Sequence, residues 1–264
     1  MGKRASIIVI FLIAALGLVF AGIGIKKNIY NNKIKAQIAQ AETSLSEGKL
    51  LEARDAYKNI LQEELDVNIA KAVYEKLGDL NIKVLFSPVK TQDSVIYRVQ
   101  ESDTLDAIAR KYGTTVALIE RANNIRSSVI RPGMNLKICT AKFSIIVDKS
   151  QNVLTLKSGE DVVKTYPVST GANNSTPVGT FKIVTKIVDP PWYSGGKVIP
   201  SGDPKNVLGT RWLGLTLKSY GIHGATDDVS IGTQCTQGCV RMHNADVEQL
   251  YAIVPIGTEV TIVD

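Results

Sequence analysis

The chain has 264 residues and three cysteines, which is enough length for two modest folded domains and too little cysteine for a disulfide framework, so its domains rely on apolar cores. The formal net charge of +6 does not mark a phosphate-tracking surface. Residues 1–40 carry six basic side chains and no acid, whereas 41–141 hold 14 of each sign and 142–264 hold 11 of each. The charge excess flanks one apolar run, and a nucleic-acid partner is excluded from the reading.

That run, Ser6 to Ile25, carries no charge and approaches the ~20 residues that cross hydrocarbon as a helix. It reads as a signal anchor within residues 1–34, with a cleaved signal peptide as the rival. No small-x-small cleavage site precedes Lys26, which favours the anchor. Lys26, Lys27, Lys33 and Lys35 outnumber Lys3 and Arg4, so the positive-inside rule alone would hold the downstream chain in the cytoplasm. The modules that follow make sense only outside, and they override that rule.

Residues 35–87 read as helix throughout, with apolar side chains recurring at helical spacing from Ala36 to Ile82, Gly48 as a break and Asp66 as an N-cap. The stretch from Glu47 to Tyr57 is similar to a tetratricopeptide helix pair. Scarcely more than one repeat is present where about three are needed for a continuous solenoid core. A helical hairpin serving as spacer, with a possible protein partner, is the expectation.

Residues 95–139 form a second module. Tyr97-Arg98-Val99 alternates as a strand, Ser102-Asp103-Thr104 leads a helix through Ile108 and Tyr112, and Thr114 to Ala122 makes another. Arg131-Pro132-Gly133 then turns into a closing strand at Leu136-Lys137-Ile138. This βααβ order, with Asp103-Thr104-Leu105, Tyr112, Asn123 and Pro132-Gly133, resembles the LysM module. The resemblance implies binding of N-acetylglucosamine-containing glycans through Ser102, Asp103 and Thr104 on one loop and Ile130 and Pro132 on another. Where Ser102 stands, the family usually has Gly.

From Phe143 the pattern changes to short alternating strands: Phe143 to Val147, Val153 to Leu156, Val162 to Val168, Gly179 to Ile187 and Val260 to Val263. Only Ala245 to Ile253 has a helical stripe. Within this region Ile222-His223-Gly224 precedes Gly232 and Thr236-Gln237-Gly238-Cys239-Val240-Arg241. A thiol attacks carbonyl carbon as thiolate, and an imidazole within reach is the usual way to make one near neutral pH. His223 and Cys239 are therefore the candidate base and nucleophile.

The pattern resembles the catalytic signature of the L,D-transpeptidases, the YkuD-like family. Ser169-Thr170-Gly171, Thr176 to Phe181, Ile199 to Gly202, Asn206 and Leu208 to Trp212 fall at that family's other landmarks, so the resemblance covers 142–264. Many members have His where Gln237 stands. The resemblance implies a mostly-β sandwich with one main helix and a nucleophile at its mouth. Cys239 would attack the stem-peptide amide that precedes a terminal D-alanine, His223 would keep the thiol ionised, and Gly224 would orient the imidazole through its carbonyl. Gly238 and Cys239 would offer N–H groups to the oxyanion. It also implies sensitivity to carbapenems and no need of a metal or organic cofactor.

Other readings of single residues stand beside these. Arg241 holds a stem carboxylate or forms an ion pair with Asp246 or another acid. Thr236, Trp192, Tyr193 and Trp212 line the donor cleft, or the aromatics belong to the core. His223, Cys235, Cys239 and His243 are a candidate zinc set that lacks a close Cys-x2-Cys knuckle. Cys235 and Cys239 are close enough in sequence for an oxidised pair that would silence the nucleophile. The whole chain is expected to be a multidomain, membrane-anchored, extracytoplasmic transpeptidase acting on peptidoglycan stem peptides and glycan strands. A carboxypeptidase using water and a non-catalytic wall-binding scaffold are the alternatives.

Overall fold

The computed structural model describes residues 30–126, 129–226 and 230–264. The expected membrane segment lies outside them, and among the described residues no helix is long and apolar enough to cross a membrane. The chain falls into two compact units, Met1–Leu77 and Gly78–Asp264.

The described part of the first unit is helical. Helix α1 covers 30–46, α2 is Leu50–Ile60, and α3, Val67–Leu85, begins here. Gly48 turns the chain between α1 and α2 with φ +78°, and the Asp66 carboxylate caps α3 by accepting the N–H of Asn68 at 2.9 Å. Ile34, Ala41, Ala53, Tyr57, Ile60 and Val73 are almost fully buried and form its packed face.

In the second unit, β1 (Ser94–Arg98) pairs antiparallel with β2 (Asn135–Cys139), and α4 (Leu105–Tyr112) and α5 (Val116–Ala122) lie between them in sequence. Thr104 and Thr115 cap the two helices by accepting N–H groups of Ala107 and Leu118, and Gly113 closes α4 in the left-handed region. Val99, Leu105, Ile108, Ile119, Leu136 and Ile138 are the core of this βααβ element.

The remainder is built on one mixed eight-stranded sheet. Its strands, in chain order, are β3 (Phe143–Asp148), β4 (Val153–Ser158), β5 (Asp161–Pro167), β7 (Gly179–Val188), β10 (Arg211–Leu215), β11 (Gly221–His223), β13 (Val240–Arg241) and β14 (Glu259–Val263). Two-stranded ribbons join β6 (Thr170–Gly171) to β12 (Gln234–Thr236), and β8 (Trp192–Ser194) to β9 (Lys197–Ile199). The spatial order β13-β11-β10-β7-β14-β3-β4-β5 is continuous, so one curled sheet replaces the expected sandwich. Its concave side is filled by α6 (Asn244–Ile253), with Val247, Leu250 and Ile253 against Leu213, Ile222, Val240 and Val260. Ile82 at the end of α3 joins this core, and Asn81 donates to the Val163 carbonyl on edge strand β5 at 2.9 Å, which blunts that edge.

Candidate active site

Strand register assembles the site. Antiparallel β10 and β11 pair Leu213 with Ile222 and Trp212 with His223, and parallel β11 and β13 pair Ile222 with Val240 and His223 with Arg241. Because side chains alternate along a strand, Leu213, Ile222 and Val240 enter the core together. Trp212, His223 and Arg241 share the opposite face. Cys239, one residue before Val240, falls on that same face beside Gly221.

His223 is 3% exposed, and its Nδ1 lies 2.6 Å from the Gly224 carbonyl. A carbonyl only accepts, so this contact assigns the proton to Nδ1, and the Leu208 main chain makes a second hydrogen bond to the ring. Burial pushes the imidazole pKa down to about 4. Hydrogen bonds to the Gly224 and Leu208 main chain oppose that shift, and the Arg241 charge adds to it. Burial likewise pushes the Cys239 thiol up, against smaller effects of the Gly221 N–H and Arg241. Burial thus favours the uncharged form of both partners. Desolvation disfavours both ions, which works against the expectation that His223 holds the thiol ionised at rest. The thiol contacts the Ser219 carbonyl at 3.6 Å, and no hydrogen bond joins Cys239 to His223 in this state.

The turn before Cys239 is braced by Thr236. Its buried hydroxyl accepts the Gly238 N–H at 3.1 Å and donates to the Cys239 carbonyl at 2.7 Å. Thr236 is thus committed to the loop and not to a substrate. The Gly238 N–H is engaged as well, so it does not stand open as the expected oxyanion donor. Gly238 has φ +123°, and a Cβ there would meet Cε1 of Tyr220 at 2.8 Å. Ser169 clamps Arg241 by reciprocal main-chain bonds of 2.8 Å. The Arg241 guanidinium donates to Ser230 Oγ at 2.9 Å, while its buried Nε has no hydrogen-bond partner among the described residues.

Of the aromatic residues singled out, Trp212 stacks on His223 with ring centroids 5.9 Å apart and planes at 20°. It lies across Gly214 and Gly221, where added Cβ atoms would meet the indole at 2.7 Å. Trp192, half-buried, and Tyr193, exposed, sit on the β8–β9 ribbon. Asn206 anchors that ribbon by donating to the carbonyls of Pro190, Ile199 and Pro200 and accepting the Leu208 N–H.

Composition did not reveal Asn244. Its side chain accepts the Thr210 N–H at 3.0 Å and donates to the Ala225 carbonyl at 2.7 Å, bracing the segment that carries Gly224. Its only sequence signal is its place just past the motif. Cys235 is exposed, and Cys139, Cys235 and Cys239 are all free thiols. Among the described residues no cluster of three or more His, Cys, Asp or Glu is placed to hold a metal, so the zinc set is not assembled.

In the βααβ element, Arg98 pairs with Asn135, which brings the loops of Ser102, Asp103 and Thr104 and of Ile130 and Pro132 to one end of the ribbon. Ser102 has φ +67°, the backbone state that explains a preference for Gly there. The Asp103 carboxylate accepts the Gln100 N–H and the Tyr97 hydroxyl, so it shapes its loop from within.

Sequence comparison agrees with this geometry. The model of the YkuD L,D-transpeptidase catalytic domain matches residues 142–262, and that of the LysM domain matches 97–138. The chain is 35% identical over 173 residues to the putative L,D-transpeptidase YkuD of Bacillus subtilis, covering 63% of this chain and 97% of that protein. It is 39% identical over 126 residues to the putative L,D-transpeptidase YqjB of the same organism, covering 46% of this chain and 70% of that one. An L,D-transpeptidase from Mycobacterium smegmatis superposes with a TM-score of 0.41 at 22% identity, over 50% of this chain and 64% of its own. With His223 and Cys239 on one sheet face and both family models matched in order, this chain belongs to the YkuD family of L,D-transpeptidases and carries a LysM domain.

Proposed function

We propose that the protein is a peptidoglycan L,D-transpeptidase with Cys239 as nucleophile. The observation that carries this reading is the shared register of His223, Arg241 and Cys239 on a face otherwise occupied by glycine and Trp212. As Sγ attacks the carbonyl before the terminal D-alanine of a tetrapeptide stem, its proton passes to Nε2 of His223. The tetrahedral intermediate collapses when the C–N bond breaks, and the same proton leaves with the amine of D-alanine. An acceptor amine then attacks the thioester and regenerates the thiol, giving a stem cross-link or an attached wall protein. Water in that place gives the carboxypeptidase outcome.

Each donor aimed at the oxyanion is worth ~3 kcal/mol of barrier, and the Cys239 N–H is the one we assign. Gly238 would join it only if its bond to Thr236 yields. The Arg241 guanidinium, in register with His223, suits a stem carboxylate. Trp192 and Trp212 flank the donor, and the LysM loops hold glycan. Residues 1–34 anchor the chain, 35–87 form a spacer, and 95–139 and 142–264 work outside the membrane.

The test is release of D-alanine from a soluble disaccharide-tetrapeptide, with wild type against Cys239→Ala. Release that depends on Cys239 supports the enzyme. Binding to glycan without release points to the scaffold.

A further inference from the structure

One strand of the LysM element is buried on both faces. Leu136 and Ile138 of β2 point into its own core, yet the alternate residues Lys137 and Cys139 are only 2% and 4% exposed. A two-stranded ribbon packed on two helices ordinarily leaves that second face wet, and lysine is among the residues least often buried. What covers it is the end of α3: Lys137 Nζ donates to the carbonyls of Val84 and Ser87, each at 2.8 Å. Those residues bracket Leu85 and Phe86, which pack on the catalytic core, and Ile82 one turn earlier is a member of it. The ammonium thus joins the Ser87 N–H and hydroxyl on the Val84 carbonyl and binds the Ser87 carbonyl, just at a helix C-terminus where positive charge is favoured.

Two further ties run between the same bodies. The Arg121 guanidinium lies over the Phe86 ring at 4.8 Å. The Thr115 hydroxyl, while capping α5, donates to the carbonyl of Ala252 in α6. Helix α6 has 10 residues and so spans about 15 Å. Its first residue, Asn244, braces the Gly224 segment, and its next-to-last, Ala252, receives the LysM bond. A single helix therefore links the base to the module.

We infer that Lys137, Arg121 and Thr115 lock the LysM domain and the catalytic sheet into one rigid body, so that the substrate is a stem peptide on a polymeric glycan strand held at a fixed offset. This rests on the peptidoglycan reading above. Strand capture by LysM then raises the local concentration only of stems at that offset, and a free muropeptide gains nothing from it.

The experiment has two readouts on the full-length chain in detergent. Amide relaxation of the wild type is expected to give one rotational correlation time for 97–138 and 142–262, and two distinct times overturn the inference. D-alanine release is then compared on uncross-linked glycan strands bearing tetrapeptides and on the disaccharide-tetrapeptide, per stem. The wild type is expected to favour strands by about tenfold or more, falling to about threefold or less in Lys137→Met/Arg121→Ala with the small-substrate rate unchanged. A strand preference that survives in the double variant overturns the inference. If that variant does not fold, the wild-type relaxation decides. No release from either substrate by wild type sinks the transpeptidase reading instead, and relaxation still judges the rigid body.

Discussion

The Thr236 hydroxyl donates to the carbonyl of Cys239 at 2.7 Å and accepts the N–H of Gly238, so one small side chain closes the turn that presents Cys239. Thr236→Val removes both bonds. At roughly 1 kcal/mol each, acylation of Cys239 should slow by about 30-fold, while Thr236→Ser stays within a few-fold of wild type. Timed mass spectrometry of the acyl-enzyme reads the difference.

Gly238 is the second pillar of that turn. Gly238→Ala places a Cβ against Tyr220 and holds alanine at φ +123°, a strained state costing ~1–3 kcal/mol. Combining it with Tyr220→Ala removes the clash and leaves the strain. The double variant should therefore still unfold at lower denaturant than Tyr220→Ala alone.

A neutral resting pair dictates the pH profile. Acylation should be flat from about pH 5.5 to 8 and fall only as His223 takes its proton near 4. An acid limb centred between 6 and 7 would contradict the burial argument. Stability follows the same group. The folded-state pKa lies below the unfolded value of about 6.5, so the unfolded chain binds the extra proton between 6.5 and 4. The contribution is fully present above 6.5 and is lost as pH falls through 4, on the order of 3 kcal/mol at most. Denaturant titrations of wild type and His223→Gln should converge over that window.

Asn244 acts through Gly224 and does not touch substrate. Asn244→Ala leaves the Thr210 N–H and the Ala225 carbonyl without partners and frees the carbonyl that orients His223. kcat should fall roughly tenfold with KM little changed. An equal rise in KM would point to a substrate contact instead.

The strands from Phe143 to Ile187 and the final strand were legible because each alternates and is bounded by a turn residue. β10 and β11 were not. Arg211-Trp212-Leu213-Gly214-Leu215 mixes glycine into a short run, and Gly221-Ile222-His223 is too brief to show a period. Yet these strands bring His223, Arg241 and Cys239 together. Their pairing is set by long-range register that no local pattern encodes. His223 and Cys239 were readable from their motif, whereas Thr236 and Asp103 were assigned outward roles because their hydrogen-bond partners are invisible in one dimension. The protonation states likewise depend on burial, which only the fold reveals.

Intact mass after incubation with a carbapenem reads whether Cys239 serves as the proposed nucleophile. Wild type and Cys235→Ala should each gain one adduct and Cys239→Ala none. Failure of folded, reduced wild type to gain an adduct, or an adduct that persists in Cys239→Ala, would contradict Cys239 as nucleophile.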